Sequence, residues 1–154
     1  MPLVFSTEAK QKLRETVARY PSAMAATLPA LHLAQAEFGH VSDEAIEAVA
    51  SELGLSPAHV YGVATFYTMY NKRPVGTYHV QVCTNVSCML DGGYDCLRVA
   101  QAAASVAPET FTVSEVECLA SCGTAVCVQV NDDYHEQMNV QRLEALLGEL
   151  GRRG

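Results

Sequence analysis

Apolar residues in the first half of the chain recur every three or four positions, the period of a helix with one buried face. STEAKQKLRETVARY sets Ala9, Leu13, Val17 and Tyr20 on one side and predicts a first helix, ended by Pro21. SAMAATLPALHLAQAEFGH predicts a second, irregular at Pro29 and stopped at Gly39. In DEAIEAVASEL the residues Ile46, Val49, Ala50 and Leu53 form the stripe of a third helix, closed by Gly54. Ser42 is placed to cap it, with Asp43 and Glu44 at the positive end of its dipole. Ser56 and Pro57 open a fourth helix, AHVYGVATFYTMY. Four short helices with brief connections make a small bundle over residues 1–75.

Around Lys72-Arg73-Pro74-Val75-Gly76 the period shortens to two, and a second domain is expected over residues 76–154. TYHVQVC alternates and predicts a strand running into Cys83. DGGYDCLRVAQAAASVA predicts a helix opened by glycines and ended near Pro108. FTVSEVEC predicts a strand ending on Cys118, and AVCVQVN another, followed by the turn Asn131-Asp132-Asp133. A short strand YHEQM and a final helix VQRLEALLGEL complete the order β-α-β-β-β-α. That order resembles the α/β sandwich of thioredoxin, so the fold class expected is α+β: a helical bundle, then a thioredoxin-like domain.

Composition narrows the function classes. Of the 154 residues 49% are hydrophobic and 18% charged, enough apolar material for packed cores. The longest apolar runs are too short and too interrupted for a bilayer span. The start, MPLVFSTEAK, lacks the basic and apolar regions of a signal peptide, so a soluble cytosolic protein is expected. Residues 1–76 carry seven acidic and six basic side chains, and residues 77–154 carry ten and four, net charges of −1 and −6. The acidic second half opposes nucleic acid as a partner, because phosphate binding relies on clustered cations.

The six cysteines then gain meaning, because thiols stay reduced in the cytosol and pairs of them there bind metal or do redox chemistry. Cys83 and Cys88 bracket Thr-Asn-Val-Ser, and Cys118 and Cys122 bracket Leu-Ala-Ser. Both pairs follow predicted strands, where loops turn side chains toward a common centre. Four thiolates gathered together repel unless a cationic centre holds them. Zinc accepts either spacing, and a 2Fe–2S cluster also takes four cysteines, two per iron. Thr84, Ser87, Ser121 and Gly123 are placed to offer hydroxyl or amide hydrogens to cluster sulfurs. Cys96 and Cys127 fall in helical and apolar patterns and are expected to pack as small hydrophobes. No C-x-x-C pair supports thiol exchange, and His79 and His135 are the only candidates for a Cys–His nucleophile in this half.

ECLASCGTAVCVQVNDDYHEQM resembles the second cysteine segment of the NuoE-type subunits of bacterial respiratory complex I. PVGTYHVQVCTNVSCML is similar to the first, and the helices from LPALHLAQAEFGH to ATFYTMY are similar to the family's N-terminal bundle, so the likeness spans roughly residues 20–150. The resemblance implies a thioredoxin-like ferredoxin with one 2Fe–2S cluster ligated by Cys83, Cys88, Cys118 and Cys122. It implies electron transfer within an NADH:quinone oxidoreductase, peripheral to the inner membrane, beside a NuoF-type flavoprotein that carries FMN and the NADH site. Related subunits serve NAD-dependent hydrogenases and formate dehydrogenases, and a structural zinc module is the reading from another class. The stretch between the two pairs is shorter than in most members, and Cys127 stands where an apolar residue is usual.

Two further classes are disfavoured. AIEAVASELGLSPAHVYGVATFY has the outline of a helix-turn-helix, but residues 57–70 contain no Lys or Arg to meet DNA. Gly92-Gly93 is too little for a dinucleotide loop, so the chain is not expected to oxidise NADH alone. The aromatics Tyr61, Phe66, Tyr67 and Tyr70 are expected in the bundle core or on a docking surface.

Overall fold

The computed structural model describes residues 3–153 and divides into two compact units, Met1–Pro74 and Val75–Gly154. In the first, three serines start helices. Ser6 accepts the Ala9 N–H at α1 (Thr7–Val17). Ser42 and Ser56 accept from Ala45 and His59 at α3 (Asp43–Leu53) and α4 (Pro57–Phe66). Each such cap stabilises its helix by about 1 kcal/mol. Between them, α2 (Thr27–Phe38) grows out of a 3-10 turn, Met24–Ala26. Pro29 is the third residue of α2 and causes no irregularity, because an N–H there has no partner within the helix. Gly39 and Gly54 end α2 and α3 with φ of 81° and 64°, a region most side chains avoid.

Two helices are shorter than their apolar spacing predicts. The first ends at Val17, and the Arg19 and Tyr20 amides close tight turns onto Thr16 and Val17. Pro21 disfavours helical backbone at the residue before it, and Tyr20 is left exposed instead of joining Ala9 and Leu13 in the core. The fourth helix stops at Phe66 because Tyr67 turns extended. That turn sends Tyr70 into the bundle, where its ring meets His32 edge-on and its hydroxyl donates to the Leu28 carbonyl at 2.8 Å. Burial pushes the Tyr70 phenol up to about 12. Of the predicted aromatic stripe only Tyr70 is core, and Phe66 is 78% exposed.

The second unit is built on a four-stranded sheet in the order β2-β1-β3-β4. The strands are β1 (Tyr78–Cys83), β2 (Phe111–Val116), β3 (Val128–Val130) and β4 (Asp133–His135). β1 and β2 are parallel, joined by a crossover through α5 (Val86–Leu90) and α6 (Gly93–Val106). β3 runs antiparallel to β1, and β4 antiparallel to β3. α7 (Val140–Gly151) packs on α6. Val80, Val82, Val128, Leu97 and Leu143 lie in one apolar core, each buried aliphatic contributing about 1.5–3 kcal/mol.

The mixed α+β architecture follows the sequence reading, with differences at strand ends. α5, where the sequence pattern predicts no helix, carries Cys88. β2 ends at Val116, two residues before Cys118, because its neighbour β1 runs out at Cys83. Cys127 precedes β3 but extends the ladder, its carbonyl accepting the Cys83 N–H at 3.1 Å. The chain leaves β4 after His135, because the Gln137 and Met138 amides turn to bind the Thr124 and Val126 carbonyls at 2.8 and 2.9 Å.

Candidate metal centre

Cys83 and Cys88 sit on a loop that the core itself shapes. Cys83 is the last residue of β1, paired with Val116, and is 4% exposed. The next amide, Thr84, reaches the Val116 carbonyl at 3.2 Å, and its hydroxyl donates to Glu115 at 2.7 Å. Asn85 then caps α5, placing Cys88 on its inner side at 2% exposure. Gly93 explains how the loop closes. A Cβ there would lie 2.8 Å from the Cys88 carbonyl oxygen and 2.9 Å from that of Cys83.

Cys118 and Cys122 are exposed on a loop between β2 and β3. Leu119 is buried between them and pins the loop to the core. Ala120 has φ 58°, and its N–H donates to the Cys118 sulfur at 3.2 Å. Cys122 begins a 3-10 turn, Cys122–Thr124. The Ser121 and Thr124 hydroxyl oxygens lie 2.6 Å apart, and both hydroxyls donate to Glu136, from Thr124 at 2.7 Å. These two hydrogen bonds, Ser121 first, hold the Glu136 carboxyl below its ordinary range.

The four predicted residues are not brought together equally. Burial, then the neighbouring Cys83 thiol, pushes Cys88 up to about 11, while the Cys127 backbone opposes that rise. The Cys83 sulfur lies 4.0 Å from the carbonyl of Glu117, the residue before Cys118. Cys127 is fully buried, and that burial pushes its thiol up. Cys83, Cys88 and Cys127 are buried, whereas Cys118 and Cys122 stand exposed on the second loop.

Among the described residues no three Cys, His, Asp or Glu side chains converge as a single metal ion would need. A two-iron core takes two sulfurs per iron, which separates its ligands into two pairs. The donor set fits such a core chemically. Cys88 is buried where a free thiolate is disfavoured, so a cationic centre would offset its charge, and the Ala120 amide hydrogen already faces the Cys118 sulfur.

The hydroxyls expected to serve those sulfurs are engaged elsewhere: Thr84 donates to Glu115 and Ser121 to Glu136. His79 lies on β1 with Nε2 2.8 Å from the Ser114 hydroxyl. Cys96 packs in the α6 core as expected. Sequence reasoning missed Glu136, which no spacing ties to the cysteines. It also took Gly93 only as a helix opener, although a glycine after Gly92 was the available signal.

Comparison with known proteins then decides the family. The thioredoxin-like [2Fe-2S] ferredoxin family model matches residues 13–151. The chain belongs to that family. It is 41% identical over 144 residues to an NADH-quinone oxidoreductase subunit of Rhizobium meliloti, covering 90% of this chain and 86% of that protein. It is 40% identical over 155 residues to the NADH-quinone oxidoreductase subunit 2 of Thermus thermophilus, covering 95% and 86%. Among solved structures, an NAD+-reducing [NiFe]-hydrogenase in the air-oxidized state superposes with a TM-score of 0.70 at 19% identity. That match covers 82% of this chain but 23% of the hydrogenase chain, and it shows a shared fold. Membership of the ferredoxin family implies a 2Fe–2S cluster.

Proposed function

We propose that this chain is the electron-transfer subunit of an NADH:quinone oxidoreductase, with Cys83, Cys88, Cys118 and Cys122 as cluster ligands. The supporting observation is the pair of strand-end cysteine loops, laid side by side across β1 and β2 and supplied with amide donors. Bound there, a 2Fe–2S centre supplies one-electron exchange, the complement of the two-electron chemistry of a hydride donor. The chain's own residues divide the remaining work. Burial of Cys83 and Cys88 excludes water from one side, and the exposed Cys118 and Cys122 face the side from which an electron enters or leaves. The Ala120 amide hydrogen stabilises negative sulfur at Cys118, while the net −6 of residues 77–154 opposes further negative charge. Salt screens the exposed part of that charge, so the amides weigh more in setting the potential.

The electron donor in this reading is FMN on a NuoF-type partner that also binds NADH. The bundle, residues 1–75, anchors the subunit to that partner, and the exposed Tyr61, Phe66, Tyr67 and Met69 supply apolar contact area. Among the described residues no helix is long and apolar enough to cross a membrane, so in this reading the subunit meets the membrane through the assembled complex. The hydrogenase-like fold suits an equivalent place in an NAD-linked hydrogenase, but relatives at about 40% identity favour the quinone-reducing complex.

The test is anaerobic purification of the full chain with its flavoprotein partner. A brown protein with about two irons per chain and an EPR signal after dithionite is expected. Stoichiometric zinc in a colourless protein overturns the reading. A chain starting at residue 75 should keep the visible spectrum and lose the partner, and retained copurification would remove the anchoring role from the bundle.

A further inference from the structure

The Cys118/Cys122 loop raises a question that the ligand assignment leaves open. Both cysteines are exposed, and the loop between Glu117 and Cys127 contains only one short 3-10 turn. Besides the buried Leu119, it is held through hydrogen bonds from one segment, residues 136–138. The Glu136 carboxylate accepts from Ser121 and Thr124, the neighbours of Cys122 on either side of its turn. The Gln137 and Met138 amides donate to the Thr124 and Val126 carbonyls. Gln137 has φ 51°, and its own carbonyl accepts from Arg142 at 2.6 Å, tying the segment to the first turn of α7.

We propose that Glu136 is a positioning residue for the metal centre: by gripping the Ser121 and Thr124 hydroxyls it fixes where the Cys118 and Cys122 sulfurs stand. This rests on the reading of those cysteines as ligands. The amides of residues 137 and 138 hold backbone beyond Cys122, whereas Glu136 alone holds side chains on both flanks of it. A ligand whose supporting partner is removed keeps its chemistry but loses its orientation, and metal retention falls. Glu136 is exposed, so its charge acts on the centre weakly and through solvent. Geometry, not charge, is what it contributes.

The test uses the full-length holoprotein and follows iron loss to a chelator, with the EPR line shape after dithionite and the reduction potential as companion readouts. Glu136→Ala removes both hydrogen bonds and should release iron about tenfold faster, with an altered line shape. Glu136→Gln keeps an oxygen able to accept from both hydroxyls and should hold iron at close to the wild-type rate with the wild-type line shape. An alanine variant indistinguishable from wild type in rate, line shape and potential overturns the proposal. So does a glutamine variant as leaky as alanine, which would make charge the cause. If Glu136→Ala does not fold, the double variant Ser121→Ala/Thr124→Val cuts the same bonds from the loop side. Fast iron loss there supports the anchor, and wild-type retention ends it. A wild-type chain without the dithionite signal would instead defeat the ligand assignment, a failure separate from that of the anchor.

Discussion

Cys83 and Cys88 lie on a loop enclosed by a strand end, a capped helix and a glycine, whereas Cys118 and Cys122 lie on an exposed loop tethered by hydrogen bonds. The first loop is shaped by close packing, and a change of one carbon is felt there because the surroundings cannot give. The second is shaped by polar contacts in reach of water, each modest in net worth because water competes for it. Rigid and adaptable halves around one centre differ in what disturbs them, and that difference can be measured.

The largest expected effect comes from one methyl group placed against the first loop and one placed in the second. At Gly93 the added Cβ meets two backbone oxygens at 2.8 and 2.9 Å, and neither can rotate away. Gly93→Ala should destabilise the cluster-free chain by about 1–3 kcal/mol, read as a lower denaturant midpoint. At Gly123 none of the described residues lies within 4 Å of the corresponding position, so Gly123→Ala should change stability by less than about 0.5 kcal/mol. Equal midpoints for the two variants would break the comparison.

A smaller contrast concerns the sulfurs themselves. Cys88 is buried and fills space, so Cys88→Ala should cost the cluster-free chain about 1 kcal/mol, while Cys122→Ala should fall within about 0.5 kcal/mol of wild type. In the holoprotein the two substitutions should converge, because each removes one proposed ligand and with it the visible spectrum. A Cys122→Ala variant that keeps the wild-type spectrum would strike Cys122 from the proposed ligand set and turn attention to Cys127, a buried cysteine whose carbonyl accepts the Cys83 N–H.

The uneven anchoring also explains what could be seen in the sequence. Helix starts at Ser42 and Ser56, the stops at Gly39 and Gly54 and the two cysteine pairs were legible because each depends on a few adjacent residues. The early ends of α1 and α4 were not, since they depend on where Tyr20 and Tyr70 go after the helix stops. The same holds at the site. Asn85 beside Cys88 is local, but Glu115 and Glu136 reach Thr84 and Ser121 across 31 and 15 positions. Local spacing marks a candidate ligand, and only the folded sheet shows what supports it.

Acid should separate the two loops by pH window, in the smallest of the three effects. Burial holds the His79 imidazole below its ordinary value of 6.5. The unfolded chain then takes up this proton more readily than the folded one. The contribution of neutral His79 to stability is therefore fully present above about 6.5 and is lost as pH falls below it. His79 joins β1 to Ser114 of β2, on the strand that delivers Cys83, so this window belongs to the first loop. Glu136 behaves in the opposite sense. Its carboxyl is held below the ordinary 4.5, so what it contributes is present above 4.5 and is lost only as pH falls through its folded value. Melting temperature against pH should show both. Relative to wild type, His79→Gln flattens the profile below about pH 6.5, and Glu136→Gln flattens it only below about 4.5. Superimposable profiles for wild type and His79→Gln would mean that the strand feeding the buried loop is indifferent to this proton.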